Sequence, residues 1–133
     1  MIHMADGRVV IAAGHDRAGA TRKAVAGIGM PDLKEKNVLI KPNFNTADPA
    51  PGSTHIDTLR TMVELVKEQG PRKVVIGDRS GPAKTTKVFQ DKGVFALGEE
   101  LEVQCLVFDT MPKDRWTRVK PPGSHWRNGF LFA

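Results

Sequence analysis

Four short apolar runs recur along the chain and define its predicted strands. They are rich in β-branched residues and nearly continuous rather than alternating, which is typical of strands covered on both faces. The predicted strands are Val9 to Ala13, Val38 to Ile40, Val74 to Ile76 and Val103 to Phe108.

Helical patterns fill the segments between these runs. A first helix is predicted from Ala18 to Ile28, where apolar positions repeat at helical spacing before Gly29 and Pro31 stop it. The clearest helix has an apolar stripe from Ile56 to Val66, ended by Gly70. The sequence further predicts a capping box for it at Thr54 and Asp57, a third helix from Pro82 to Asp91, and a turn over Val94 to Leu97.

This alternation of strands and helices predicts a parallel sheet with right-handed crossovers. We therefore expect an α/β fold of Rossmann-like, three-layer architecture over residues 1–109, followed by a basic extension over residues 110–133. In the extension, the alternation from Trp116 to Val119, a turn at Pro121 to Gly123 and the apolar run Phe130 to Phe132 predict a β-hairpin. Because chain ends are usually polar, this run predicts pairing with another subunit or truncation of a longer protein.

The composition of the 133-residue chain is ordinary for a globular protein of one domain, and its charge distribution disfavours a polyanion partner. The net charge of +5 is concentrated in the extension, which contains five basic residues and one acidic residue, Asp114. The rest of the chain therefore carries only +1. A solvated basic segment accounts for this distribution better than a nucleic-acid-binding face does, because the latter needs its cations gathered on one surface.

Other partners and locations follow from residue types that are scarce. The longest apolar stretch is far shorter than the roughly 20 residues of a membrane span, and Met1 to Arg8 lacks the features of a secretory signal. A lone cysteine, Cys105, allows neither an internal disulfide nor a cysteine-ligated iron–sulfur cluster, so we expect a cytoplasmic protein. Since His3, His15 and His125 lack ligand spacing, we expect no metal and no cofactor.

A first polar string follows the second predicted strand and is the stronger candidate for a ligand site. In open parallel sheets, ligands bind at the carboxyl ends of the strands. Lys41 offers a cation there, and Asn43 and Asn45 offer amide groups near the helix that begins at Thr54, whose N-terminus favours anions. The competing interpretation is an ordinary loop, because Asn and Pro are common turn residues.

A second polar string, Gly77 to Gly81, follows the third predicted strand. It does not match a Walker A loop, because Pro82 stands where that motif needs another residue type. Pro82 instead fits the first position of a helix, which would direct Ser80 and Gly81 into the crevice as an anion-binding turn. A plain strand-to-helix turn is the alternative.

Two residues are candidates for acid–base chemistry. His55 follows the predicted cap of the second helix, where an imidazole tends to lose its proton and can act as a base. Asp78 would orient that base if the two polar strings meet. The sequence thus leaves three functions open: binding of a small anionic molecule, an acid–base enzyme using His55, Asp78 and Lys41, or an assembly module that forms a homo-oligomer through the extension.

Several segments, in this order, resemble a known family. They are Val38 to Asn43, Thr54-His55, Gly77 to Gly81, Lys87 to Phe89 and Gly93 to Leu97. Together they are similar to the N-terminal part of the domain of unknown function 362 family, over roughly residues 8 to 133. The resemblance implies no settled reaction, and it implies relatives about twice as long, some labelled as iron–sulfur proteins. With only Cys105 available, that label does not transfer to this chain.

Overall fold

The structure, a computed structural model, describes residues 7–132 and contains two separate sheets. Three parallel strands, β1 (Asn37–Ile40), β2 (Lys73–Asp78) and β3 (Gln104–Val107), lie in the order β1-β2-β3. A two-stranded antiparallel sheet pairs β4 (Thr117–Val119) with β5 (Phe130–Phe132). These elements confirm the mixed α/β class, three of the four predicted strands and the C-terminal hairpin. Predictions that concern residues 1–6, including His3, lie outside the described residues.

Four α-helices accompany the sheets within residues 7–132. They are α1 (Arg17–Ile28), α2 (Ile56–Glu68), α3 (Thr85–Asp91) and α4 (Val94–Glu100). None of these helices is both long enough and apolar enough to cross a membrane.

The main core lies on one face of the parallel sheet. Along each strand, alternate residues such as Val38, Ile76 and Val107 face this core, where α2, α3 and α4 cover them. This one-sided arrangement follows from the strand order, because two successive right-handed crossovers in the same direction place their helices on the same face. Its buried residues are Phe44, Leu59, Val63, Val66, Val74, Ile76, Val88, Phe89, Val94, Leu97 and Val103.

The opposite face of the parallel sheet is more open. Leu39 on β1 is 52 % exposed, whereas Val75 and Leu106 are half-buried. The ring of Phe108 lies over Gly77, where the β-carbon of any other residue would come within 2.7 Å of it. Helix α1 packs against α2, to which Arg22 is joined by ion pairs with Glu64 and Glu68 at 2.9 Å.

The first predicted strand is wrong. Residues 9–13 form no strand, and the side chains of Val9 and Ile11 are 78 % and 90 % exposed. Their apolar, β-branched sequence suits a strand, but a strand also requires a hydrogen-bonded neighbour, which this segment lacks among residues 7–132. Helix α1, which follows it, forms as predicted and is capped by the Asp16 side chain.

Two predicted helix starts are also wrong. The N-cap of α2 is His55, whose Nδ1 accepts a hydrogen bond from the Asp57 amide at 3.2 Å, and Thr54 instead accepts one from the amide of Asn43. Helix α3 begins at Thr85 rather than at Pro82. The Thr85 hydroxyl accepts a hydrogen bond from the amide of Ser80 at 2.8 Å, which holds residues 80–84 in a turn before the helix.

Candidate functional site

Each parallel strand has a charged residue at or just after its carboxyl end. Lys41 comes directly after β1, Asp78 is the last residue of β2, and Asp109 lies two residues beyond β3. Because the strands are parallel and neighbouring, these groups share one edge of the sheet. Lys41 and Asp78 are the two charged residues from which the sequence predicts a site at this edge.

Asp78 is the most buried charged group at this edge. Its side chain is 1 % exposed, and its Oδ1 lies 2.7 Å from the Lys41 ammonium, which is itself 59 % exposed. Its two oxygens also accept hydrogen bonds from the backbone amides of Arg79, at 2.8 Å, and Phe44, at 3.0 Å. A buried carboxylate with this many donors is fully satisfied, so it fixes Lys41 and both loops.

The loop after β1 alternates between buried and exposed residues. Pro42 and Phe44 are buried, while Lys41, Asn43 and Asn45 are exposed. The loop is anchored by Phe44, a role that the sequence pattern does not indicate. Its ring lies 6.1 Å from that of Phe89 in an edge-to-face arrangement and is 1 % exposed.

The two predicted polar strings are joined directly to one another. The Ser80 hydroxyl donates to the carbonyl of Phe44 at 2.6 Å, and the Gly81 amide donates to Oδ1 of Asn45 at 3.0 Å. The Asn43 amide donates to the Thr54 hydroxyl at 2.9 Å. Ser80 is buried, so its hydroxyl and that of Thr54 hold the backbone of the loop, while the side chain of Asn43 remains exposed.

A second network at the same edge was missed from the sequence. The buried hydroxyl of Thr85 donates to Oδ2 of Asp109 at 2.5 Å, and Oδ1 of Asp109 lies 3.2 Å from Nε of Arg79. Asp109 could have been identified from the sequence, because it is a polar residue that directly follows a predicted strand. Thr85 gave no signal, since its contacts depend on a turn whose residues the sequence pattern assigns to a helix.

His55 lies in a different environment from Asp78. Its imidazole lies 3.5 Å from the Asp57 carboxylate and borders a cleft of about 690 Å³ between the N-termini of α1 and α2. His15, Asp16 and Thr58 line the same cleft. Within residues 7–132, no hydrogen bond or ion pair connects His55 with Asp78.

Cys105 lies on β3, away from this edge. Its half-buried thiol donates to the carbonyl of Val94 at 3.5 Å, and burial raises its pKa above the ordinary value. The thiol therefore stays protonated at neutral pH, which disfavours a role as nucleophile or metal ligand. Within residues 7–132, His, Cys, Asp and Glu side chains form no group of three or more with a geometry that could hold a metal.

A family model described as "Domain of unknown function (DUF362)" matches residues 38–133, which is more than half of the chain. The match includes β1 from its second residue on, both polar loops and the hairpin, but it leaves out α1. No curated protein and no solved structure matches the chain.

Proposed function

This chain belongs to the domain of unknown function 362 family, and we propose that the carboxyl edge of its parallel sheet binds a small anionic ligand. The observation that carries the proposal is an ammonium group held in place by a buried carboxylate while remaining exposed to solvent. Such a group is positioned before a ligand arrives, so little side-chain entropy is lost on binding.

Lys41 retains hydrogen-bonding capacity for a ligand. Of the three hydrogens on its ammonium, one is directed to Asp78 at 2.7 Å and one to the carbonyl of Pro42 at 3.2 Å. The third hydrogen is available to an anion. The side-chain amides of Asn43 and Asn45 are also exposed and supply further contacts, although Oδ1 of Asn45 already accepts from the Gly81 amide.

The remaining predicted residues act by holding this loop. Thr54, Ser80 and Gly81 each hydrogen-bond to a residue between positions 43 and 45, so they fix the spacing of its exposed amides. We further propose that the protein is cytoplasmic and follows a Rossmann-like three-layer plan, in which carboxyl-edge sites are usual. The parallel order of β1, β2 and β3 and the helices on one face of the sheet support two of the three layers of that plan.

The test measures thermal unfolding in the presence of phosphate, sulfate and a nucleotide panel. A ligand at a hundred times its Kd stabilises the native state by about 2.7 kcal/mol, which raises the Tm measurably. We expect Lys41→Met to abolish that increase. The matched control is Lys36→Met, which removes an exposed lysine from the opposite end of β1. An unchanged increase in Lys41→Met, or none in the parent protein, would refute the proposal.

Acid–base chemistry is the second candidate, favoured by the direct contact between Lys41 and the buried carboxylate of Asp78. In this proposal the exposed Lys41 ammonium exchanges a proton with a bound substrate, and Asp78, whose side chain is 1 % exposed, holds the ammonium in position. His55 joins this proposal only through a ligand that reaches from the sheet edge to the N-terminus of α2. Its imidazole NMR signals should then shift on addition of an anion that raises the Tm, and unchanged signals would remove His55 from the site.

Self-association through the extension remains a third proposal. It is supported by the exposure of Trp126, Leu131 and Phe132, which are 66 %, 54 % and 56 % exposed. Light scattering across a range of protein concentrations tests it, with Phe132→Asp as the variant expected to dissociate an oligomer. A monomer at every concentration would contradict it.

A further inference from the structure

We propose that a second pocket, between the sheet edge and the β4–β5 hairpin, binds a small aromatic carboxylate. The pocket has a volume of about 740 Å³, which lies within the range of natural small-molecule sites. It goes beyond the anion site proposed at Lys41, because different residues form it. Its lining residues are Arg79, Phe108, Asp109, Met111, Lys113, Trp116 and Leu131.

The inner wall of this pocket is apolar and aromatic. The rings of Phe108 and Trp116 lie 6.2 Å apart at an interplanar angle of 77°, which is the edge-to-face geometry that aromatic rings prefer. Met111 and Leu131 contribute an adaptable thioether and an aliphatic surface. A flat aromatic group is the ligand chemistry that fills such a wall and adds a further ring contact.

Two cations, Arg79 and Lys113, border the same pocket. Nε of Arg79 lies 3.2 Å from Oδ1 of Asp109. Oδ2 of Asp109 accepts a hydrogen bond from the hydroxyl of Thr85. Because Asp109 is engaged on both oxygens, it positions Arg79 and offers little to a ligand. The Arg79 side chain is 73 % exposed, and its two terminal nitrogens make no hydrogen bond to any residue from 7 to 132.

These terminal nitrogens form a planar pair of donors that matches a carboxylate. Asp109 neutralises one of the two positive charges bordering the pocket, and Lys113 leaves an excess of one. A monoanion complements that excess, whereas a neutral ring would leave it uncompensated. The charge and the aromatic wall together therefore select an aromatic carboxylate.

Isothermal titration calorimetry of the full chain tests this with 3-phenylpropanoate and its neutral counterpart, 3-phenylpropanamide. We expect the carboxylate to bind at least tenfold more tightly than the amide. Arg79→Met should weaken carboxylate binding about tenfold, as expected for a charge-assisted hydrogen bond. The matched control is Arg72→Met, because this exposed arginine precedes β2 where Arg79 follows it. Equal affinity for the two compounds, or an equal loss in both variants, would overturn the proposal.

Tryptophan fluorescence locates the bound compound. The chain has two tryptophans, so Trp126→Phe leaves Trp116 as the reporter. We expect saturable quenching of Trp116 by 3-phenylpropanoate, with the Kd that calorimetry gives. Binding without a change in Trp116 fluorescence would overturn the assignment to this pocket. A dimer in which a second copy of the chain covers Trp116 and excludes the compound would overturn it as well. Phosphate and sulfate, unlike the nucleotides also used to test the Lys41 site, lack an aromatic group, so their effects on the Tm let the two proposals fail separately.

Discussion

The two faces of the parallel sheet differ in how completely they are covered. On the helical side, Ile76 is 0 % exposed beneath α2, α3 and α4, whereas Leu39, on the neighbouring strand, is 52 % exposed on the other side. The strands carry apolar residues toward both faces, so their sequence alone does not distinguish the two. The distinction arises from the strand order, which sends both crossovers to the same side.

The difference between the faces also separates two kinds of functional group. The buried end of the helical side contains Asp78, whose oxygens are fully used in fixing Lys41 and the loops. The pocket bounded by Phe108 and Trp116 lies at the end of the open side, where Arg79 keeps donors for a ligand. The covered side thus provides rigidity, and the open side provides accessible surface.

The largest expected effect comes from truncating one residue on each face of the same strand. Ile76→Ala should lower the free energy of unfolding by about 3 kcal/mol, because it opens a cavity in a region that cannot collapse easily. Val75→Ala, its neighbour toward the open face, should cost about 1 kcal/mol. Urea unfolding of both variants measures the difference. Equal costs would mean that further structure covers the open face in solution.

The sequence predicted this sheet well where a hydrophobic run had a partner and poorly where it did not. The runs at Val38 and Val74 became β1 and β2, whereas the equally apolar run at Val9 stays unpaired among residues 7–132. Periodicity reports a residue's preference for extended backbone, but the neighbour that completes the hydrogen bonds is a property of the whole fold.

The candidate site was predictable to the same partial extent. Lys41 and Asp78 were identified because polar residues after buried strands share an edge, and the structure places them 2.7 Å apart. Phe44 and Thr85 were missed, because their contacts depend on the path of two loops. The inward direction of Ser80 was missed for the same reason. Its predicted orientation depended on a helix that starts at Pro82, whereas α3 begins at Thr85.

The second prediction compares two Lys–Asp ion pairs that differ in burial. Asp78→Ala should lower the free energy of unfolding by about 2 kcal/mol, because the amide of Phe44 and that of Arg79 lose their acceptor in a buried setting. Asp91→Ala removes a carboxylate that is 42 % exposed and pairs with Lys87 one helical turn away, which should cost about 0.5 kcal/mol or less. Chemical denaturation at neutral pH compares them, and a similar small cost for both would show that Asp78 is not buried.

The third prediction adds a single methyl group on each side of the sheet. Gly98→Ala would place a β-carbon 2.6 Å from the Cys105 sulfur and 3.0 Å from the carbonyl oxygen of Val103, whose backbone cannot move aside. We expect a cost of about 1–2 kcal/mol despite the better helix propensity of alanine. In Gly77→Ala the atoms nearest the new β-carbon are outer atoms of the Phe108 and Leu39 side chains, which can shift toward solvent, so it should cost about 1 kcal/mol or less. Thermal unfolding measures the loss of stability in both variants. A larger loss in Gly77→Ala than in Gly98→Ala would contradict the conclusion that the face of the sheet bearing Gly77 is open.

The smallest expected effect concerns an ion pair on the outer surface of the helical layer. Arg60 on α2 donates both terminal nitrogens to the two oxygens of Glu100 on α4, each at 2.6 Å. The hydrogen bonds from Arg60 lower the pKa of Glu100. A group whose pKa is lower in the folded state contributes stability at pH values above its unfolded pKa, and this contribution disappears as the pH falls through the folded value.

Glu100→Gln should therefore reduce the Tm slightly at pH 7, by less than any variant above, because the pair is exposed to solvent and screened by salt. The reduction should vanish at low pH, where Glu100 is protonated in the parent protein as well. Glu99→Gln, which removes an exposed neighbouring carboxylate, is the matched control and should show a smaller pH dependence. If the difference between Glu100→Gln and the parent protein persisted unchanged down to the acid transition, packing of the side chain rather than its charge would connect α2 with α4. The contact between α2 and α4 would then be stabilised by packing of nonpolar atoms even where it is exposed to solvent.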